Sequence, residues 1–261
     1  MDLGISNKRA LVIGASRGLG AATAQMLLNE GASVIAVSRN PSSIEQWAAE
    51  LDGDAASRLA SRRLDLAQLQ SVDALCDELL SEGGVDILVN NSGGPPRSTA
   101  AEARREQWLG EFESMAVNLF HLTGRLLPPM VERRWGRVVT IGSSGIVQPI
   151  PALALSNGIR SAVATWSKTL AAEVAAYGVT VNVVLPGRIA TDRVHLLDQL
   201  LADRSGVPIE TIEMESAKSI PVGRYGTPAE FASIVAFLAS EQASYVTGSM
   251  VRVDGGFIKA I

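Results

Sequence analysis

The chain has 261 residues, 47% of them hydrophobic, enough to bury one large core in a single domain. Lys and Arg number 23 against 27 Asp and Glu, a net charge of −4, and the basic residues are scattered, which argues against a nucleic-acid partner. No apolar stretch is long enough to span a bilayer, and the opening MDLGISNKRALVIGAS has no charged leader followed by an apolar run, so a cytoplasmic protein without membrane contact is expected.

Apolar runs alternate with amphipathic stretches, the pattern of parallel strands joined by helices that cover both faces of a sheet. Residues 9–14 (RALVIG) read as the first strand, and a helix over 21–29 follows, ended by Gly31. Residues 33–38 (SVIAVS) and 61–66 (SRRLDL) are the next two strands. VDALCDELL has helical spacing and places Cys76, the only cysteine, on its apolar face as a buried thiol, which leaves no intramolecular disulfide and no cysteine-rich metal site. Strands over 87–90, 136–141, 180–185 and 251–253 complete seven, with long helices over 106–125 and 154–177 between them. Residues 192–220 break the alternation with two short helical patterns around Gly206-Val207-Pro208, a candidate substrate lid within one domain spanning 1–261.

Between the first strand and its helix stands Gly14-Ala15-Ser16-Arg17-Gly18-Leu19-Gly20. Glycines permit a tight turn and a close approach of backbone to a pyrophosphate, and the free N–H groups at the start of the helix favour anionic oxygens. This Gly-x-x-x-Gly-x-Gly spacing is joined by Asp65 after the third strand, Asn90-Asn91-Ser92-Gly93 after the fourth, Asn118, Ser143, Pro186-Gly187 and Asp254-Gly255-Gly256. Together these residues, spread over nearly the whole chain, resemble the short-chain dehydrogenase/reductase family. The resemblance implies an α/β fold: a single doubly wound Rossmann-type domain with a seven-stranded parallel sheet flanked by helices. It also implies that Asp65 and Leu66 flank an adenine. Asn91, Ser92 and Gly93 would pack beside the adenosine half of the cofactor, and Pro186, Gly187, Ile189 and Thr191 would form the loop under the nicotinamide amide.

A free ribose wants a carboxylate acceptor, whereas a 2′-phosphate wants cations. The second strand ends in Ser38-Arg39 rather than an acid, and Arg17 lies inside the glycine loop. In the family these two arginine positions converge on the 2′-phosphate, so NADPH is expected over NADH.

The helix ending in Lys168-Thr169-Leu170-Ala171 aligns with the family's catalytic helix, and counting back puts Ser156 at the usual tyrosine and Arg160 at the usual lysine. The family's Tyr-x-x-x-Lys is here Ser156-Asn157-Gly158-Ile159-Arg160. A serine hydroxyl is a far weaker acid than a phenol with its pKa near 10. Arg160 lies one turn after Ser156 on the same face and keeps the cation that the resemblance places on the nicotinamide ribose. Ser143 holds the family's serine position and Asn118 the position that anchors a water chain, which makes Ser143, Asn118, Ser156 and Arg160 the catalytic candidates. His195, at the start of the lid, has a pKa range suited to acid catalysis, although a lone surface histidine is more often polar covering. Tyr177, Tyr225 and Tyr245 fall outside the expected catalytic wall.

Three functions are compatible with these residues. One is an NADPH-dependent oxidoreductase acting on a small carbonyl or a conjugated enone, the enone being favoured because its enolate product can wait for a proton from solvent. The chain broadly resembles a branch of the family containing bacilysin-pathway-type reductases that lack the tyrosine, and ordinary 3-oxoacyl-type ketone reduction is the alternative within the same class. The second is a cofactor-binding homologue with little or no turnover. The third is a non-redox enzyme that uses Arg160 to hold an anionic substrate. The resemblance also implies a homotetramer or homodimer built on the two long helices, and the apolar end Phe257-Ile258-Lys259-Ala260-Ile261 would suit a further interface.

Overall fold

A computed structural model describes residues 1–260. Their chain order is β1 (Arg9–Ile13), α1 (Gly18–Asn29), β2 (Ser33–Ser38), α2 (Ser42–Ala48), α3 (Gly53–Ser57), β3 (Leu59–Arg63), α4 (Leu69–Ser81), β4 (Ile87–Asn90), α5 (Arg105–Phe112), α6 (Asn118–Glu132), β5 (Gly136–Ile141), α7 (Ala154–Val174), β6 (Val179–Pro186), α8 (Asp192–Ser205), α9 (Ile209–Lys218), α10 (Pro228–Leu238) and β7 (Met250–Val253). Among the described residues the strands form one seven-stranded sheet in the order β3-β2-β1-β4-β5-β6-β7, parallel at every pairing. This is a single Rossmann-type α/β domain. No helix among the described residues is long and apolar enough to cross a membrane.

A parallel sheet needs cover on both faces, and the central strands β4 and β5 are accordingly buried from end to end, as is β6 up to Pro186. On one face Leu79, Leu122, Leu126, Ile159 and Val163 pack from α4, α6 and α7 against Leu11, Leu88 and Val138. On the other, Leu27 and Leu28 of α1 and Phe231 and Val235 of α10 pack against Val12, Val89 and Val139. The order reverses between β1 and β4, and the crevice outside the carboxyl ends of these two strands is where a doubly wound sheet receives its ligand.

Sequence and structure differ at several edges. The third strand runs Leu59–Arg63, two residues earlier than its apolar letters suggest, because it pairs with β2 from Val34↔Leu59 to Ser38↔Arg63. Asp65 and Leu66 therefore lie in the loop beyond it. The helix read over 106–125 extends from Arg105 to Glu132 and contains one π turn, Glu113–Val117, immediately before Asn118. The helix over 154–177 is α-helical to Val174 and tightens into a 3-10 turn over Ala175–Tyr177. At the end of the chain Ile258 is buried against its own domain, with its N–H donated to Asp254 Oδ2 at 3.0 Å, so this side chain is not the free interface residue expected. Ile261 lies outside the described residues.

Candidate active site

The glycine loop is shaped by close backbone approaches that a side chain would prevent. Gly14 and Gly18 have φ of +67° and +59°, the left-handed region that glycine adopts without strain. A Cβ on Gly20 would stand 2.2 Å from the Gly14 carbonyl oxygen, so the first turn of α1 lies directly against the end of β1. Asn91 Nδ2 donates to the same carbonyl at 3.4 Å, and Ala15 N–H donates to Val37 O at 3.0 Å, which ties the loop to its neighbouring strands. Trp47 Nε1 donates to Ala15 O at 3.0 Å, a support that sequence reading missed because nothing local pairs a tryptophan of α2 with this loop. Helix α1 begins at Gly18 with no side-chain cap and no acid in its first turn. Its N–H groups are thus left for an external acceptor.

Around this loop, Arg17 and Arg39 are both exposed. Arg17 makes one loose ion pair, 3.6 Å to Asp192. Ser38 is buried, with its hydroxyl turned to Asn40 O at 2.8 Å. Asp65 Oδ1 accepts from Ala67 N–H at 3.1 Å, an Asx turn that fixes the carboxylate beyond β3.

Ser143 and Arg160 stand at the carboxyl ends of β4 and β5, with Ser156 one turn before Arg160 on α7. Ser143 follows β5 and caps a 3-10 turn, its Oγ accepting from Gly145 N–H at 3.1 Å. Ser156 is half-buried on α7, and among the described residues its hydroxyl has no hydrogen-bond partner. One turn on, the Arg160 guanidinium donates to Ile141 O at 3.2 Å, Ser92 O at 3.3 Å and Gly93 O at 3.1 Å, bridging the ends of β4 and β5. Burial pushes this guanidinium down to about 10, and the like charge of Arg193 acts in the same direction. Asn118, only 3% exposed, donates its amide to Leu66 O at 2.7 Å. That bond ties the first residue of α6 to the loop after β3. Lys168 Nζ donates to Gly248 O at 3.0 Å, away from Ser156 and Arg160 as the helix register predicts.

After β6, Gly187 N–H donates to Val253 O at 2.9 Å, and a Cβ there would come within 2.6 Å of Asp254 Cα. Ile189 is 3% exposed and packs into the core, so only its backbone is available to a ligand. Thr191 caps α8, its Oγ1 accepting from Val194 N–H. Residues 192–220 do form two helices, joined through Gly206 with φ +68°. His195 faces Glu213 across that pair at 3.2 Å with its side chain 65% exposed, so it links α8 to α9. Asp198, 1% exposed, pairs with Arg188 and accepts from the Tyr225 hydroxyl at 2.8 Å. Burial opposes the Arg188 charge, but the hydrogen bond and attraction of Asp198 prevail and hold its pKa above the ordinary guanidinium range.

A family model described as Enoyl-(Acyl carrier protein) reductase matches residues 14–258. The 3-oxoacyl-acyl-carrier-protein reductase FabG of Haemophilus influenzae is 34% identical over 253 residues, covering 97% of this chain and 98% of that protein. The structure of YwfH, described as an NADPH-dependent reductase involved in bacilysin biosynthesis, superposes with a TM-score of 0.91 at 29% identity, covering 98% of this chain and all of the other. L-sorbose reductase of Gluconobacter frateurii, solved with NADPH and L-sorbose, superposes with a TM-score of 0.93 at 33% identity over the full length of both chains. The chain belongs to the short-chain dehydrogenase/reductase family. It is an NAD(P)-dependent oxidoreductase of that type.

Proposed function

We propose that this oxidoreductase uses NADPH and reduces a conjugated enone by placing hydride on its β-carbon. The observation that carries the reading is the composition of the catalytic floor: two hydroxyls, Ser143 and Ser156, and one cation, Arg160, with no phenol among them. The cofactor fits the groove, because the glycine loop offers uncapped N–H groups where a Cβ would collide, and exposed Arg17 and Arg39 supply cations with no acid at the end of β2. When bound, NADPH supplies the hydride.

The chain's own residues have the remaining work. Ser143 and the unengaged Ser156 hydroxyl donate to the substrate oxygen, and Arg160 stabilises the negative charge that develops there. As hydride adds to the β-carbon, the π electrons move to that oxygen to give an enolate. Solvent then delivers a proton to the α-carbon. A ketone instead needs a proton on its own oxygen as the carbinol forms, a task for which serine is a poor acid. Asn118 supports the floor by fixing Leu66, and the lid over residues 192–220 excludes water from the site.

Reduction of a 3-oxoacyl ketone is the second reading, favoured by the FabG relatives at 34% identity. NADPH carrying deuterium at C4, incubated with an enone and with a ketone, decides between them. Label on the β-carbon is the expected result; label on a carbinol carbon would establish ketone reduction, and no transfer to any substrate would leave a cofactor-binding protein without turnover.

A further inference from the structure

Behind the catalytic floor two buried polar side chains lie side by side, each with an atom that nothing in the protein bonds. Asn90 at the end of β4 and Thr140 on β5 are register partners in neighbouring parallel strands, so they project from the same face of the sheet, where Asn90 meets Thr123 of α6. They are 0% and 3% exposed. Asn90 Nδ2 donates to Thr123 Oγ1 at 3.1 Å, and the Thr123 hydroxyl donates in turn to Leu119 O at 2.8 Å. Thr123 has thus spent its one proton and can only accept from Asn90, which fixes the amide with Oδ1 turned the other way. Among the described residues neither Asn90 Oδ1 nor Thr140 Oγ1 has a hydrogen-bond partner. A buried acceptor and a buried hydroxyl left unpaired are costly, and native folds rarely keep them so.

Both residues line one small cavity, closed by Met115 of the π turn, Leu119 of α6, and Arg160 and Val163 of α7. It offers about 10 Å³ to a water molecule, room for one and for nothing larger. The Arg160 Nη2 protons go to Ser92 O and Gly93 O and one Nη1 proton goes to Ile141 O, which leaves one Nη1–H and the Nε–H. We infer that a single buried water occupies this cavity, donating to Asn90 Oδ1 and accepting from the Thr140 hydroxyl and from a remaining guanidinium N–H, and that Asn90 and Thr140 thereby act as positioning residues for Arg160. A water suits this trio where an ion does not, since the guanidinium repels a cation and Asn90 Oδ1 repels an anion. Among the described residues the cavity walls include none of Ser143, Ser156 and Asn118, so the water braces the cation from behind the floor and passes no proton to the substrate. The three carbonyls that Arg160 bonds belong to a loop and a strand end, whereas the water ties it to side chains in the middle of the sheet. A cation held in this way needs no reorganisation as charge develops in front of it.

Crystals of the full chain that diffract well enough to show ordered water test the site directly. One water should bond both Asn90 Oδ1 and Thr140 Oγ1. In Thr140→Val, which keeps the shape and removes the hydroxyl, that water should be lost or displaced and the guanidinium should leave at least one of its three carbonyls; Thr140→Ser should restore both. For enone reduction, where the inference rests on the reductase reading, Thr140→Val should lower kcat by roughly fivefold or more while the enone KM stays within about twofold, because the brace acts on charge that develops only in the transition state. Thr140→Ser should recover most of that rate. A dry cavity, a water bonded to neither side chain, a guanidinium unmoved in Thr140→Val, or enone turnover that Thr140→Val leaves intact would each overturn the inference. If the water and the shift of Arg160 are both seen but no enone is reduced, the water site stands and the reductase reading fails.

Discussion

The hydroxyl of Tyr225 donates at 2.8 Å to one oxygen of Asp198 while Arg188 holds the other, so helix α8 is tied to the loop after β6 through one buried carboxylate. Asp198→Asn keeps the shape and removes the charge, which leaves Arg188 facing a neutral amide in a part-buried site. The expected loss is about 2–3 kcal/mol of unfolding free energy, against about 1 kcal/mol for Tyr225→Phe, both from chemical denaturation. The double variant should fall short of the sum because the two contacts share one carboxylate. Full additivity would mean that the three side chains do not act as a unit.

Gly20→Ala tests the glycine loop at its tightest point. With a Cβ placed 2.2 Å from the Gly14 carbonyl, either α1 withdraws from β1 or the loop opens. NADPH binding, followed by fluorescence, should weaken at least tenfold, a change of about 1.4 kcal/mol. Wild-type affinity in a folded Gly20→Ala variant would show that the cofactor does not use this turn.

Arg17 and Arg39 are exposed, so their effect on the cofactor should be electrostatic and reduced by salt. Replacing both with Ala should weaken NADPH at least tenfold and leave NADH nearly unchanged. Michaelis constants for the two cofactors, measured at low and high ionic strength, check this. A wild-type preference for NADH would remove the 2′-phosphate assignment altogether.

Much of the architecture could be read from local chemistry. β2, β4 and β5 begin and end where their apolar runs do, since both faces of these strands are buried and each run is bounded by polar or turn-forming residues. β3 was harder to place: Arg62 and Arg63 belong to an edge strand whose limits come from pairing with β2, and edge residues carry little apolar signal. The glycine loop, Ser143 and the Ser156–Arg160 spacing were visible because each lies on a single turn or helix. Asp198 was not, as it reads as one more polar residue of DRVHLLDQLLADRS and its partners Arg188 and Tyr225 lie 10 and 27 residues away. Arg193 escaped notice for the same reason, its contact with Pro95 spanning 98 residues.

Cys76 provides a pH handle on stability. Burial pushes its thiol up to about 11, above the ordinary value of 9.0 that the unfolded chain would show. A raised folded pKa favours the protonated form, so this contribution is complete below pH 9 and is lost as pH climbs toward 11. Across that window stability should fall by up to about 1.4 kcal/mol per pH unit on account of this one group. The difference in unfolding free energy between wild type and Cys76→Val should change with that slope from pH 9 to 11 and be flat at lower pH. A difference independent of pH throughout would show that the thiol ionises as easily in the folded state as in the unfolded one.

Restoring a phenol to the catalytic helix separates the two reductase readings. Ser156 is half-buried with its hydroxyl unengaged, so a tyrosine there breaks no existing hydrogen bond, and Arg160→Lys one turn later returns a compact cation beside it. A positioned acid of suitable pKa contributes on the order of 10²–10⁴-fold to a reaction whose transition state takes up a proton. Ketone reduction by the double variant should therefore rise at least a hundredfold. Enone reduction, in which the oxygen can leave the site as an enolate, should change less than tenfold. If the wild type already reduces ketones as fast as the double variant does, Ser156 is not limited by its acidity and the preference for a conjugated acceptor loses its physical basis.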